Sequence, residues 1–459
     1  MKLHIINLHL TLLILASAAG LAPAMAKGVA ERTSDTKWTR FSHSQSEEWY
    51  TTDDAREVAE NVLLYQKNSG GWPKNIPMHM AMSDADKARV ATEKDSKEAS
   101  KKGCMDNDAT TSEIRFMARM WRVNGDERYR EAALRGVRFI LDSQYPNAEA
   151  PDTRAGGWPQ YYPLRGGYSD YFTFNDDLHL NNMRLLRDLL DPSTEPGAIL
   201  PQEWRKEVAK AYDAGLQCIL DCQVTEDGVK TAWCAQHDPY TLLPAEGRPH
   251  ELPSYSADEG TSLLVFLMSV DDPTPEIVDA VESAVAFYER TAIDGKKPEF
   301  VINDRGEWID QVVVDSVGAR MWGRFIQLGG DVAAKVYPDF FRRLKERRPR
   351  SLKIGSDTLR YEMWRNAADS YDPSQAHRPI FSIYADDLPH HLFRFLYSFS
   401  DLAPVADSQC GYEFAPSLNA MRRIRYRYLG TWPDYVIKGL YPDWHAAMER
   451  KFGKKSGKN

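Results

Sequence analysis

The chain is poor in cysteine. Five in 459 residues is an odd number and too few to staple a protein of this length, which excludes a disulfide scaffold. Cys218 and Cys222 stand four apart in a helical pattern and read as buried thiols. An excess of basic residues is missing too. With 58 Lys and Arg against 66 Asp and Glu, the formal net charge is −8, which argues against nucleic acid as a partner. An anionic ligand would therefore need local arginines or a metal ion. The apolar run from Leu10 to Ala16 is too short to cross a bilayer. It follows Lys2 and precedes Ala24-Met25-Ala26, a small-x-small cleavage pattern, so residues 1–26 read as a signal peptide and the protein as exported, periplasmic or secreted, with no membrane anchor.

Aromatic residues, by contrast, are plentiful, with 12 Trp and 22 Tyr. Such density in an exported acidic protein suits a carbohydrate cleft, although core packing accounts for most of it. Three amphipathic segments close on glutamine: Leu63-Leu64-Tyr65-Gln66, Ile140-Leu141-Asp142-Ser143-Gln144 and Ile219-Leu220-Asp221-Cys222-Gln223, with the glutamines 78 and 79 residues apart. A tryptophan loop follows each, at Gly70-Gly71-Trp72-Pro73, Gly156-Gly157-Trp158-Pro159 and Trp233. A second helical pattern comes next, near 109–124, 177–190 and 257–269. This predicts three stacked helix–loop–helix units, with a degenerate fourth starting near Pro275. Stacking requires the long loops 67–108, 145–176 and 224–256 to emerge around one mouth. Connections of this length in a compact domain are usually functional.

The first loop ends in Asp106-Asn107-Asp108 and the second in Asn175-Asp176-Asp177, both just before a helix. N-capping accounts for Asp108 and Asp177, and Glu113, three after Thr110, fits a capping box. Capping leaves Asp106 and Asp176 unexplained. Carboxylates from two converging loops suit a hard divalent cation, calcium rather than zinc, although neither loop is an EF-hand. The third loop runs from Trp233 to Ser254, WCAQHDPYTLLPAEGRPHELPS, and brings Arg248 between Pro244 and Pro249. An arginine beside a metal suits a sugar carboxylate. His237, in the same run, invites a general-base role, although a histidine in such a run is more often a structural hydrogen-bonding residue.

Taken in order, Gly70-Gly71-Trp72-Pro73-Lys74-Asn75, Asp106-Asn107-x-Ala109-Thr110-Thr111, Gly156-Gly157-Trp158-Pro159-Gln160, Thr173-Phe174-Asn175-Asp176, Trp233-Cys234-Ala235-Gln236-His237-Asp238-Pro239 and Arg248-x-x-Glu251-Leu252-Pro253-Ser254 resemble the motifs of polysaccharide lyase family 10 pectate lyases. The likeness runs from about residue 50 to about 327. It implies an all-α fold, an (α/α)3 toroid-like barrel of helical hairpins with long irregular loops forming the cleft. It also implies calcium-dependent β-elimination of polygalacturonate, pectin or a related acidic polysaccharide. By position, Asp106 and Asp176 resemble the calcium-associated aspartates, Arg248 the catalytic arginine and Arg324 a substrate-binding arginine. Lys74, Trp158 and His237 stand in the same motifs as candidate substrate contacts.

The pattern is not followed throughout. Pro249-His250 replaces an aromatic before the glutamate, Asp258-Glu259-Gly260 varies an acidic block, and Gly329-Gly330-Asp331 stands where an Arg-Asp-Gly segment is expected. The expected organisation is a signal peptide at 1–26, a catalytic domain at 27–350 and a helical extension at 351–459 packed on it. The extension carries Arg422-Arg423-Ile424-Arg425-Tyr426-Arg427, either a solvated helix face or a platform for a polyanion. Two other functions fit the same residues. One is a non-catalytic uronate-binding protein. The other is an inverting glycoside hydrolase with Asp106 and Asp176 as acid and base.

Overall fold

Helices begin where the sequence supplies caps. The Thr52 side chain accepts from the Ala55 backbone ahead of α2 (Asp53–Tyr65), and Asp53 and Asp54 place negative charge at its positive end. In the computed structural model the described residues are 30–248, 251–346, 350–354, 357–361, 368, 370–382 and 427–453, with three two-residue strands at 395–396, 406–407 and 412–413. The proposed signal peptide, Pro249-His250, Cys410, Arg422 to Tyr426 and the lysine-rich end lie outside them.

The protein is mostly helical, 53% helix against 12% strand. It divides into two compact units. Unit 1 takes the described residues up to Leu141 together with Arg184–Val208. It contains α1 (Trp38–Ser44), α2, α3 (Asp84–Ala91), α4 (Thr111–Asn124), most of α5 (Glu127–Ser143), the second half of α6 (Leu178–Leu190) and α7 (Glu195–Ile199). Unit 2 takes Asp142–Met183 and the described residues from Ala209 onward. It contains the start of α6, most of α8 (Arg205–Asp221), α9 (Ala257–Met268), α10 (Pro275–Thr291) and α11 (Gly330–Glu346).

The three glutamines that close α2, α5 and α8 make the same pair of contacts. In unit 1, the Gln66 amide donates to the Gly70 carbonyl and the Ala132 carbonyl of α5, both at 2.8 Å. In unit 2, Gln144 donates to Gly156 at 3.0 Å and to Ala211 of α8 at 2.9 Å. Gln223 donates to Thr231 at 2.9 Å and to Ala280 of α10 at 2.8 Å. Each amide thus ties the start of its own loop to the next long helix. Gly70 and Gly156 sit at φ +96° and +99°, and a Cβ there would lie 2.3 Å from the Arg135 carbonyl or 2.0 Å from that of Ala214. Only glycine fits so close an approach. The tryptophan then seals the turn: Trp72 donates to the Val62 carbonyl and Trp233 to that of Ile219, both at 2.7 Å, and all three indoles, Trp158 included, are fully buried.

A fourth copy of this turn is present. Trp322 donates to the Tyr288 carbonyl of α10 at 2.8 Å, as Trp72 does to α2. Between α10 and Trp322 the chain forms a hairpin, β6 (Ile293–Ile302) against β7 (Trp308–Gly323), which departs from the all-α expectation. The hairpin departs at Ile293, which pairs with Met321, so it fills the place of the loop without disturbing the tryptophan. The chain later returns to this turn. Strand Leu429–Gly430 pairs with Gly323 and Trp322, helix Trp432–Tyr435 follows, and helix Tyr441–Phe452 is held by Lys451 to Asp272 at 2.5 Å and His445 to Glu282 at 3.0 Å. Residues 372–380 likewise run beside the core, with Ile380 donating to Phe325 at 2.8 Å and Gln327 to Arg378 at 2.9 Å.

The four described cysteines are buried and free, and the Cys218 and Cys222 sulfurs stand 4.0 Å apart. If the glutamine contact organises the repeats, Gln223→Ala should remove both bonds, leave the Thr231 carbonyl without this donor and cost roughly 1–3 kcal/mol. Urea unfolding measures this, and a loss below about 1 kcal/mol would refute the assignment.

Candidate functional site

Backbone pairing fixes which residues of the loops correspond. The amides of Cys104, Thr173 and Ser256 donate to the carbonyls of Trp72, Trp158 and Trp233 at 2.9, 3.2 and 2.8 Å. Two residues further on stand Asp106, Asn175 and Asp258, and three further on Asn107, Asp176 and Glu259. Asp106 and Asp176 are therefore not equivalent positions in the repeat; Asp106 corresponds to Asn175, and Asp176 to Asn107. Asn107 and Asp108 lie at φ 56° and 60°, Asp176 and Asp177 at 54° and 57°. Asn and Asp tolerate this left-handed region, and such turns gather at functional sites. The third segment lacks the turn and passes directly into α9.

The capping box also stands elsewhere than expected. Thr110, at φ 67°, makes no side-chain cap to α4. Its hydroxyl accepts from the Trp72 backbone at 3.0 Å and donates to the Cys104 carbonyl at 2.8 Å. The box forms at α9 instead, where the Ser256 side chain accepts from the Glu259 amide and donates to the Glu259 carboxylate.

In unit 1, Asp106 is buried and ion-paired with Lys74, and its other oxygen accepts from the Asn107 amide at 3.0 Å. Farther along, burial pushes the Glu113 carboxyl up to about 8, against hydrogen bonds from its own amide and from Ser112.

In unit 2 the second and third loops are joined. Strand β1 (Phe172–Thr173) pairs with β4 (Gln236–His237), and the Phe174 and Asn175 amides both donate to Ala235 at 2.9 Å. The third loop opens with the short hairpin of β2 (Thr225–Glu226) and β3 (Val229–Lys230). Its end, β5 (Tyr255–Ser256), pairs with β8 (Phe325–Ile326), which brings Arg324 against α9. The Arg324 guanidinium bonds the Glu259 carboxylate, with Asn175 Oδ1 at 3.5 Å and Asp258 at 3.9 Å. Burial would lower the Arg324 pKa, but Glu259, Asp258 and Asp176 outweigh it and hold the group charged. Burial likewise works to raise Glu259, and the Arg324 charge reverses this and keeps it ionised. Asp258 has no comparable partner. Burial, reinforced by Glu259 and opposed by Arg324, carries it up to about 7, with Asp177 adding to the rise and Arg427 opposing it.

Arg248 sits on a clamped loop with its side chain 45% exposed. Glu251 accepts from the Arg248 amide at 2.8 Å and from its Nε at 3.0 Å, and Arg343 of α11 holds Glu246 at 2.6 Å. Two expected substrate contacts are corrected. His237 is fully buried; Nδ1 bonds the Leu242 carbonyl at 2.9 Å, and Nε2 accepts from the Cys234 amide at 3.1 Å. Burial lowers its pKa to about 4, so it is a neutral structural imidazole. Trp158 is fully buried too, edge-on to His179 at 4.9 Å, and forms core rather than a sugar platform. The repeat register, counted from each tryptophan, would have drawn attention to Asp258 and Asn175. Glu251 stood in the Arg248 motif and Arg427 in the basic run of the tail, but no local signal gave either its contacts.

Residues 66–339 match the pectic acid lyase family. The chain belongs to that family. It is a polysaccharide lyase, which decides against a non-catalytic binding protein and an inverting hydrolase. Two similar solved structures are of the family 10 polysaccharide lyase from Cellvibrio cellulosa. One, a mutant in complex with trigalacturonic acid, is 30% identical over 61% of this chain and 81% of that one, at a TM-score of 0.49. The other is 29% identical over 64% and 83%, at a TM-score of 0.48. A search of the curated proteins found no match. Among the described residues of this lyase, no helix is long and apolar enough to cross a membrane.

The buried Glu113 gives unit 1 a pH signature. Folded Glu113 keeps its proton to about pH 8, whereas the unfolded group loses it near 4.5, so stability should fall as pH rises between those values. At about 1.4 kcal/mol per pKa unit the loss is at most a few kcal/mol. Glu113→Gln should flatten the slope in urea unfolding at pH 5 and pH 9. An unchanged slope would assign the pH dependence to another group.

Proposed function

We propose that this lyase is a calcium-dependent pectate lyase that cleaves polygalacturonate or a related uronate polysaccharide by β-elimination. Arg248 serves as the proton-abstracting base, and Arg324 and Lys74 engage substrate carboxylates. We further propose the (α/α)3 toroid as the architecture, with the protein acting outside the cell or in the periplasm. The observation that carries the chemistry is Arg248 itself, a half-exposed guanidinium on a loop pinned by Glu251 and Glu246, in a chain that belongs to a lyase family.

Asp106 and Asp176 are the proposed calcium-associated residues. Their donor chemistry fits a hard cation, since both offer only carboxylate oxygens. Among the described residues no group of three or more His, Cys, Asp or Glu side chains is placed to hold an ion. Calcium, when bound to the uronate carboxylate, supplies positive charge that acidifies the neighbouring C5–H. Lys74 is ion-paired with Asp106 and, were that aspartate to hold the cation, would be placed to engage a substrate carboxylate.

In the reaction, the C5–H electron pair becomes the C4=C5 double bond as the proton passes to Arg248. The C4–O glycosidic bond breaks with its electron pair going to oxygen, which takes a proton from water, and the Arg248 proton is then returned to solvent. Arg324, fixed by Glu259, holds a carboxylate in register while charge develops. A free guanidinium has a pKa of about 12.5 or above, so the base form is scarce at neutral pH and activity should peak on the alkaline side. An optimum below pH 6 would count against Arg248.

The direct test incubates the protein with polygalacturonate and with methylated pectin, in calcium or a chelator, and follows the ultraviolet absorbance of the unsaturated product. Absorbance should rise with calcium on polygalacturonate and disappear with the chelator. Arg248→Ala should reduce turnover by about a hundredfold or more and leave oligogalacturonate binding largely intact. Full activity in that variant would refute the role.

A further inference from the structure

The family match ends at residue 339, yet the chain comes back to the arginine and carboxylate cluster about ninety residues later. Tyr428 is the anchor. It is almost fully buried, its ring packs edge-on to Phe325 at 6.1 Å, and its carbonyl accepts the Arg324 amide at 2.8 Å. Leu429 and Gly430 then pair with Gly323 and Trp322. Arg427, immediately before this anchor, is held at the cluster rather than on a free end. Its charge acts on Asp258, the carboxylate that Arg324 approaches only to 3.9 Å.

The backbone of Arg427 points the same way. It sits at φ 46°, a left-handed conformation that Gly or Asn adopts at lower cost than an arginine. Such a residue persists where its surroundings hold it, and it places a long cationic side chain where a turn alone would need none. Arg324, meanwhile, is already partly engaged. Its side chain is 13% exposed and bonded to buried Glu259, so it meets a substrate carboxylate with part of its charge offset. A polygalacturonate chain presents one carboxylate per sugar and meets here a cluster rich in its own sign, with Asp176, Asp177, Asp258 and Glu259. A second cation half-buried beside them, supplied by the tail, meets that difficulty.

We propose that Arg427 is a specificity-determining residue that binds a galacturonate carboxylate beside Arg324. The proposal rests on the pectate lyase reading for its ligand. It adds a subsite contributed by sequence outside the family match. Because the carboxylate is the group recognised, Arg427 should favour polygalacturonate over methyl-esterified pectin.

The test uses the full chain with Arg427→Gly and Arg427→Asn, both of which accept the left-handed backbone and so remove the guanidinium with little strain, and Arg427→Lys, which keeps a charge. Thermal unfolding checks each fold. With polygalacturonate, Arg427→Gly and Arg427→Asn should raise KM roughly tenfold while changing kcat less, and narrow the preference over methylated pectin by a similar factor. Arg427→Lys should recover part of the loss. Calorimetry with trigalacturonate, in calcium and in chelator, gives a second readout. If the parent protein makes unsaturated product and the folded variants match it in KM and in polymer preference, Arg427 is not a subsite and the lyase reading stands. If the parent binds trigalacturonate without cleaving any polymer, and Arg427→Gly binds roughly tenfold more weakly, the subsite stands and the lyase reading falls. A parent that neither binds nor cleaves overturns both.

Discussion

A side-chain amide with two donors is the part on which the repeats depend. Each of Gln66, Gln144 and Gln223 stands where its helix has run out, and its NH2 group reaches one carbonyl in the loop ahead and one in the next long helix. Buried carbonyls of this kind must find a donor or carry a desolvation cost. A single glutamine satisfies two, and in doing so sets where the chain turns and which helix it lies beside. The tryptophan that follows is then forced inward, its indole nitrogen closing the last turn of the helix it has just left. What comes after the tryptophan begins from a fixed point, and the acidic turns arise at a set distance from it.

Because the contact is local in sequence and recurs with nearly constant spacing, it was legible before any coordinates. Glutamine separations of 78 and 79 and the tryptophans after them give the three units directly, and the helices α4, α6 and α9 fall where the apolar spacing places them. The fourth unit was harder to see. Its glutamine is absent, and the hairpin of β6 and β7 separates α10 from Trp322, so the period is broken although the tryptophan still bonds its helix. Asn303-Asp304-Arg305-Gly306 has the composition of a turn, with Gly306 at φ 76°, and the valine run 312–314 has that of a strand. A helical periodicity sought throughout the chain outweighed both.

The site was legible in its residue types and less so in its register. Residue type groups Asp106 with Asp176, as the carboxylates that capping leaves over, whereas the backbone bonds to Trp72 and Trp158 group Asp106 with Asn175. No composition distinguishes these, since one residue of slip leaves an acidic turn an acidic turn. Burial was equally hidden. His237 and Trp158 have the chemistry of ligand contacts, and the strand pairing of β1 with β4 and the packing on His179 place them inside. The tail lay beyond the resemblance altogether, and only the folded chain shows Tyr428 bonded to the backbone of Arg324.

The electrostatics of Arg248 and Arg324 then separate two uses of the same side chain. Arg324 is buried, bonded to Glu259 and near Asp258 and Asp176, an arrangement that fastens its proton and makes it a fixed positive charge. Arg248 is half-exposed and paired with Glu251, which also accepts from the Arg248 amide and so holds the loop as much as the charge. A carboxylate beside a guanidinium opposes loss of its proton. For Arg248 to accept a proton from C5 it must first be neutral, so this contact has to be broken or its field cancelled when substrate and cation enter. The backbone bond to Glu251 allows that: the carboxylate can keep the loop through the amide while giving up Nε.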